Sequence, residues 1–154
     1  GNDENKRAPM YGSMDGNAEG MCKGPADMDD FRMKFDSLEE QQEDPDSIYN
    51  YVKQVIRVRN QNPVIARGTT AYLEQYSGEQ CFALTRSYEG SNLLLLGNTS
   101  AEAVSVDLTG LTVGGTTAEE LVLLGELYTG EETAERAGTV VTLPAYSILI
   151  LGEE

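Results

Sequence analysis

The side chains in this sequence that could do acid–base chemistry are carboxylates, because the chain contains 26 Asp and Glu residues and no His. Several of these carboxylates are neighbours in the chain: Asp29-Asp30, Glu39-Glu40, Glu119-Glu120 and Glu131-Glu132. Catalysis by two carboxylates requires a fixed separation between them. Neighbouring residues of a strand point to opposite faces, and neighbours in a loop have no fixed separation. We therefore interpret the pairs as solvated charges and predict no catalytic residue in this chain.

The residue inventory excludes several other kinds of site. Without His, the chain can form no Ser-His dyad, no imidazole base and no His-based zinc site. Asp27, Asp29 and Asp30 resemble a calcium loop only superficially, because the glycine and the distal glutamate of an EF-hand are missing. Cys22 and Cys81 form no Cys-x-x-Cys motif; a disulfide between them is the alternative to two free thiols, which are the expected state. The sequence therefore predicts no metal ion and no cofactor.

The net charge of the chain limits its partners. Eleven Lys and Arg residues oppose 26 Asp and Glu residues, which gives a formal net charge of −15. A surface with this charge repels phosphate backbones, so we expect no nucleic-acid partner. No apolar run approaches the roughly 20 residues that a membrane-spanning helix needs, so we expect no membrane partner. From Thr69 onward two basic residues oppose 13 acidic ones, which indicates a boundary near Gly68.

A capped amphipathic helix is predicted over residues 45–61. Asp44 followed by Pro45 is typical of the cap residue and the first position of a helix. Apolar residues then recur at helical spacing as one stripe: Ile48, Tyr51, Val52, Val55 and Ile56. Asn62-Pro63 disfavours further helix, because a proline pushes the preceding residue toward extended geometry. A helix of this length is marginal alone, so the stripe must pack against something.

The rest of the chain reads as an irregular segment followed by strands. Residues 1–43 lack clear hydrophobic periodicity, and we predict no regular structure there. From Gly68 onward, short β segments alternate with Gly-containing turns, and the predicted segments are 69–76, 80–88, 92–98, 102–108, 119–127, 139–143 and 145–151. About seven such strands are typical of an antiparallel β-sandwich with Greek-key connections. The predicted fold class is therefore mainly β, with one α-helix and an irregular N-terminal segment preceding the sandwich.

Three blocks of the sequence resemble the α-amylase family of glycoside hydrolases. Arg7, Pro9 and Met10 match the loop that follows the last barrel strand, although Gly12 stands where the family often has Trp. The helix block, residues 44–68, is similar to the last barrel helix and the domain junction. The third block resembles core strands of the family's C-terminal β domain and consists of residues 81–86, 93–100 and 143–147.

The resemblance implies that the chain is the C-terminal portion of a longer enzyme of the oligo-1,6-glucosidase or α-glucosidase type. Residues 1–67 would be the tail of a (β/α)8 barrel, with a loop at 1–43, and residues 68–154 would be the C-terminal β-sandwich domain. The catalytic carboxylates of the family precede these blocks, so the chain itself is expected not to be an enzyme. Its parent would act on α-glucosidic oligosaccharides. The barrel of the parent would be its partner, and the chain would stabilise that barrel.

Four residues are candidates for sugar contacts. The family places the first block at the mouth of the cleft, where Asp3 and Arg7 could contact substrate in the parent enzyme; a structural salt bridge is the alternative. Tyr72 and Tyr76 would share one strand face and could bind an oligosaccharide if the chain is a glycan-binding module. Core or edge packing is the alternative for these two tyrosines. A third hypothesis is a scaffold or dimerisation domain that self-associates through the helix stripe.

Overall fold

The structure is a computed structural model, and it describes residues 10–13 and 35–153. The chain divides into two compact units, residues 1–52 and residues 53–154. The predicted division at residue 67 refers to the parent enzyme and stays a prediction. Among the described residues, no helix has the length and apolar character that crossing a membrane requires.

Three helices lie in the described ranges: α1 Leu38–Glu43, α2 Ile48–Gln61 and α3 Pro63–Arg67. α2 confirms the predicted helix, but it begins at Ile48 and its cap is not Asp44. The Ser47 hydroxyl accepts a hydrogen bond from the Asn50 N–H at 3.2 Å, which satisfies an unpaired N–H of the first turn. Asp44 instead accepts a hydrogen bond from the Asp46 N–H at 2.9 Å, within the turn before the helix.

α1 lies in the segment that we predicted to be irregular, so that prediction is wrong for these residues. Ser37 and Glu40 form a capping box in which each side chain accepts a hydrogen bond from the backbone N–H of the other residue. The Leu38 N–H donates to the carbonyl of Tyr11 at 2.9 Å. The Ser-x-x-Glu pattern is the sequence signal for this helix.

Asn62 is the single residue that separates α2 from α3. Its φ of −122° and ψ of 85° are not helical, as the proline after it requires. The helix resumes at Pro63, because the first helical position needs no N–H donor. The sequence therefore predicts the end of α2 correctly but not the short helix that follows.

Ten strands in the described residues form antiparallel sheets. Their bounds are β1 Thr69–Tyr72, β2 Cys81–Tyr88, β3 Ser91–Asn98, β4 Val104–Asp107, β5 Thr112–Val113, β6 Thr116–Thr117, β7 Val122–Leu127, β8 Glu135–Ala137, β9 Val140–Leu143 and β10 Ile148–Gly152. Sheet A has the strand order β1-β2-β3-β10-β7, and sheet B has the order β4-β9-β8. β5 and β6 pair as a separate hairpin. The predicted antiparallel β-sandwich is confirmed.

Each predicted strand segment contains a strand, and the differences lie at the ends and in the shortest strands. β1 ends at Tyr72, and the chain then forms one turn of 3-10 helix, Glu74–Tyr76, where we predicted continuous strand. β5, β6 and β8 were not predicted, because strands of two or three residues are too short to show alternation.

The core of the sandwich lies between sheets A and B. Buried residues that contribute to it are Ala83, Leu94, Leu96, Leu149 and Leu151 from sheet A, and Val106, Val141 and Leu143 from sheet B. Within sheet A, β10 pairs with both β3 and β7, so β3 and β10 are interior strands. Leu93 and Ile150 have the opposite parity on these strands and are also buried. β3 and β10 are therefore covered on both faces.

α2 and α3 cover the second face of sheet A. Val58 of α2 is 8% exposed, and it occupies the space above Gly125, where a Cβ would lie 2.8 Å from Val58 Cγ1 and 3.5 Å from Ile150 Cδ1. The side-chain amide of Gln54 donates to the Glu126 carbonyl at 3.1 Å. β7 is an edge strand of sheet A, so this hydrogen bond occupies one carbonyl of an edge strand.

Gly97 of β3 pairs with Phe82 of β2, and a Cβ at Gly97 would overlap the Phe82 ring. We expect Gly97→Ala to lower the free energy of unfolding by about 1–3 kcal/mol, because the ring must leave its position. Urea denaturation measures this change. The control is Gly130→Ala, since no atom lies within 4 Å of its Cβ position, and its effect should stay below about 0.5 kcal/mol. Equal effects of the two substitutions would contradict this account of Gly97.

Candidate functional site

α2 carries apolar side chains that the described residues leave uncovered. Ile48, Val52 and Ile56 are 77%, 46% and 52% exposed. Their spacing of four residues places them on one side of the helix. We call these three residues the exposed helix face. Three large apolar side chains on one side of a helix indicate an interaction surface.

The exposed helix face is only part of the predicted stripe. Tyr51 and Val55 are half-buried, and the residue that α2 buries most is Val58. The predicted stripe did not include Val58, although Val58 follows Val55 by three residues and Tyr51 by seven, which is helical spacing. The predicted stripe is therefore packed only in part: the helix has one side against sheet A and an adjacent apolar side that is exposed.

An open groove of about 460 Å³ lies within residues 1–52. Its apolar lining consists of Met10, Phe35 and Ile48, which are all more than half exposed. Carboxylate-bearing residues also line it: Asp36, Asp44 and Asp46. The groove thus adds apolar surface next to the first residue of the exposed helix face.

Arg86 joins α3 to sheet A. Its guanidinium donates hydrogen bonds to the carbonyls of Val64 at 3.2 Å and Gly68 at 2.6 Å, and to the Thr70 hydroxyl. These carbonyls lie near the C-terminal end of α3, where a positive charge is favourable. We call α2 and α3 together the helical segment. The contact of Arg86 with α3 fixes this segment on sheet A, which the segment covers.

Asn98, the last residue of β3, organises the turn before β10. Its side-chain amide donates to the carbonyls of Glu102 at 2.7 Å, Pro144 at 2.9 Å and Leu143 at 3.2 Å. Its Oδ1 accepts hydrogen bonds from the backbone N–H and the hydroxyl of Ser100, both at 2.9 Å. Asn98 is 3% exposed. Although Asn98-Thr-Ser has the pattern of a glycosylation sequon, this amide is engaged inside the folded chain.

Tyr146 lies in that turn with a left-handed backbone. Its φ is +47°, a conformation that costs a bulky residue about 1–2 kcal/mol. Its N–H donates to the Ser100 carbonyl at 3.1 Å. The Ser147 hydroxyl donates to the Pro144 carbonyl at 2.7 Å within the same turn. The Tyr146 side chain is 53% exposed, and the sequence analysis did not select it as a site residue.

The other predicted site residues are distributed as follows. Asp3 and Arg7 lie outside the described residues. Tyr72 is 61% exposed at the end of β1. Tyr76 is half-buried against the sandwich core, and its hydroxyl donates to the Thr109 carbonyl at 3.2 Å. The two tyrosines do not share a strand face, because the chain leaves the strand between them.

The described carboxylate pairs are engaged in turns and caps or lie in solvent. Glu40 belongs to the capping box of α1, and Glu131 and Glu132 are exposed. The Thr117 hydroxyl and N–H donate to Glu120 at 2.6 and 3.1 Å, and they hold the pKa of Glu120 below its usual value. A general acid needs a raised pKa, so Glu120 is not suited to that role. No cluster of three or more potential metal ligands occurs among the described residues.

Tyr128 has a perturbed pKa. Its hydroxyl donates to Glu126 Oε2 at 2.8 Å and accepts from the Ala134 N–H at 3.0 Å. Burial, assisted by the Glu126 carboxylate and opposed by the Ala134 N–H, raises the pKa of Tyr128 to about 12. The hydroxyl therefore stays protonated near neutral pH and serves as a structural donor.

Comparison with known proteins shows what the chain is similar to. No protein-family model and no curated protein matches it. Solved structures do match. Amy13B of Eubacterium rectale matches 99% of this chain, with a TM-score of 0.87 and 38% identity. An α-amylase from H. orenii matches 94% of the chain with a TM-score of 0.68, and at 22% identity it supports the fold alone.

A third match, with the trehalulose synthase MutB from Pseudomonas mesoacidophila MX-45, covers 75% of the chain at 25% identity and a TM-score of 0.59. These solved neighbours are α-amylase family glycoside hydrolases. The chain spans 28% of the Amy13B chain, 27% of the H. orenii α-amylase and 19% of MutB. It is therefore similar to a part of these enzymes, which confirms the resemblance at the level of the family.

Asn98→Asp tests the role of the Asn98 side chain in the turn. The introduced carboxylate would face three carbonyl oxygens, so we expect the free energy of unfolding at pH 7 to fall by about 3 kcal/mol. Protonation should recover part of the loss at pH 4, because the folded state raises the pKa of a carboxylate in this position. Urea denaturation at both pH values measures the change. Asn60→Asp, at an exposed position of α2, is the charge-matched control and should cost less than about 0.5 kcal/mol.

The raised pKa of Tyr128 predicts that the stability of the fold depends on pH at alkaline pH. Since its pKa rises from about 10 in the unfolded chain to about 12 in the fold, its contribution to stability is complete below pH ~10. That contribution disappears as the pH rises toward about 12. The difference in tyrosinate absorbance between the wild type and Tyr128→Phe should titrate near pH 12. Glu126→Gln should lower this midpoint. A difference curve centred near pH 10 would show that the hydroxyl is not perturbed.

Proposed function

We propose that this chain is the non-catalytic C-terminal part of an α-amylase-family glycoside hydrolase, and that its exposed helix face packs against the catalytic barrel of the same polypeptide. The observation that carries the proposal is the exposure of Ile48, Val52 and Ile56. The chain is similar to 28% of Amy13B, which leaves most of such an enzyme to cover this face. Its function would be to stabilise the barrel.

The two apolar sides of α2 support this arrangement. One side places Val58 against Gly125 of sheet A, and the adjacent side presents the exposed helix face. A helix that is apolar on two sides suits a position between two packed layers. Full burial of each aliphatic side chain would contribute about 1.5–3 kcal/mol. Arg86 would hold the helical segment in place for that contact.

The substrate of the parent enzyme is proposed from the family resemblance. The helix block and the β-domain block resemble enzymes of the oligo-1,6-glucosidase or α-glucosidase type, which act on α-glucosidic oligosaccharides. Mutants of MutB, one solved neighbour, have been determined in complex with sucrose and with glucose. In the parent enzyme Asp3 and Arg7 would contact the sugar at the mouth of the cleft.

Glycan binding by the chain itself is the second candidate function. Tyr72 supports it, because 61% of its surface is exposed. Tyr76 supports it less, since its ring packs on the core and its hydroxyl is engaged with Thr109. A scaffold or dimerisation role is the third candidate, and it would use the exposed helix face for a second copy of the chain.

Ile56→Asp distinguishes these functions when it is placed in two proteins. In this chain alone we expect a change in the free energy of unfolding below about 0.5 kcal/mol, because Ile56 is exposed. In the parent enzyme we expect a loss of about 3 kcal/mol, since the charge would be buried without a partner. Thermal and urea unfolding of both proteins measure the difference. Gly130→Asp, in an exposed loop with no atom within 4 Å of its Cβ position, is the charge-matched control and should have little effect in either protein.

A small effect of Ile56→Asp in both proteins would refute packing against the barrel. Light scattering across a dilution series tests the dimerisation alternative. If the isolated chain is a dimer that Ile56→Asp converts to a monomer, while the stability of the parent enzyme does not change, the exposed helix face binds a second copy instead.

A further inference from the structure

We propose that Tyr146 forms a binding site for a neutral α-glucan chain, separate from the exposed helix face. The ligand class rests on the proposed function, because the sugars of the parent enzyme would be the available ligands. The location rests on the conformation and exposure of Tyr146 itself.

The backbone of Tyr146 is the first observation. Its φ of +47° is left-handed, and Glu89 at +50° is the other described residue besides glycine with a positive φ. Glycine and asparagine adopt this conformation with less strain than a bulky aromatic residue. A tyrosine is therefore an unfavourable choice for the backbone at this position.

The turn does not need the ring of Tyr146 to hold its shape. The Asn98 amide binds the carbonyls of Leu143 and Pro144, and the Asn98 N–H donates to the Ser147 carbonyl at 2.9 Å. The Tyr146 N–H is tied to the Ser100 carbonyl. These hydrogen bonds involve backbone atoms at each side of Tyr146. They fix the backbone for whichever side chain position 146 carries.

The side chain of Tyr146 is the second observation. It is 53% exposed, and it is not among the residues that form or pack against the buried core cluster. A strained backbone that presents an exposed ring on a fixed turn indicates a role for the ring outside the fold. An aromatic ring held in place binds at a low entropic cost, because few torsions are lost. The flat face of the ring can stack on the apolar face of a sugar.

The surroundings of Tyr146 favour a neutral ligand that is rich in hydroxyl groups. A chain with a formal net charge of −15 repels anions. Two hydroxyl-bearing residues beside the turn are exposed, Thr99 and Thr129. The Thr129 hydroxyl donates to the Ala145 carbonyl at 3.5 Å, and the Thr99 hydroxyl donates to the Gln80 carbonyl at 3.2 Å. Both oxygens keep acceptor capacity for sugar hydroxyls.

The test is a titration of this chain with maltoheptaose, followed by amide chemical shifts. The wild type should saturate at millimolar concentration, with the largest shifts around Tyr146. Tyr146→Phe keeps the ring and should change the dissociation constant by less than about threefold. Tyr146→Asn removes the ring and suits the left-handed backbone, so binding should weaken at least about tenfold. The melting temperature of Tyr146→Asn should stay the same or rise, which separates loss of the site from loss of the fold.

Two control variants make the outcome specific. Glu89→Asn reduces the backbone strain at Glu89, whose φ is also left-handed, and it should leave sugar binding unchanged. Tyr72→Asn removes the exposed tyrosine of the second candidate function, and it therefore shows whether the sugar binds at β1 or at Tyr146. The proposal is overturned if the wild type does not bind, if Tyr146→Asn binds like the wild type, or if binding is lost in Tyr72→Asn instead. Ile56→Asp should bind maltoheptaose normally, so failure of this site and failure of the barrel contact are separate results.

Discussion

The central strands of sheet A, β3 and β10, are apolar on both faces, and both faces must therefore be shielded from water. Sheet B shields the face that presents Leu94 and Leu151. The helical segment shields the opposite face, where Val58 lies against Gly125 and Ile150. The sandwich thus depends on a helix that precedes it in the chain. This dependence explains why helix and sandwich form one compact unit from residue 53 onward.

The need to shield sheet A also accounts for the exposed helix face, which we propose packs against the barrel. α2 uses one side to cover sheet A, and its adjacent side retains Ile48, Val52 and Ile56. Arg86 prevents the helical segment from shifting, because its guanidinium binds carbonyls of Val64 and Gly68 at the end of α3. A helix anchored in this way can transmit the stability of the sandwich to a second layer that packs on it. The proposed role of the chain follows from this geometry and needs no catalytic group.

The polar side chains of the described residues stabilise the fold through hydrogen bonds. Every buried side-chain nitrogen and oxygen in the described part of the chain has a hydrogen-bond partner. The Asn98 side chain binds the end of β3 to the turn before β10. The pKa of Asp107 is lowered by the hydroxyl and N–H of Thr109 and by the hydroxyl of Thr139, as the pKa of Glu120 is by Thr117. Tyr146 departs from this pattern, since its ring is presented to solvent on a strained backbone.

The sequence by itself determined the fold class, the existence of α2 and the resemblance to α-amylase-family enzymes. Strand alternation, helical spacing and Gly-containing turns are local signals. They can be recognised without knowing which surfaces the helices and strands pack against. The Ser-x-x-Glu pattern of α1 was also local and could have been used. The tertiary structure decided which side of α2 is buried, because Val58 meets a glycine that is distant in the chain. It also separated Tyr72 from Tyr76, because the chain after β1 is bonded to Ala83 of β2. It set the left-handed backbone of Tyr146 in a turn that Asn98 and Ser100, both remote in the chain, hold by hydrogen bonds.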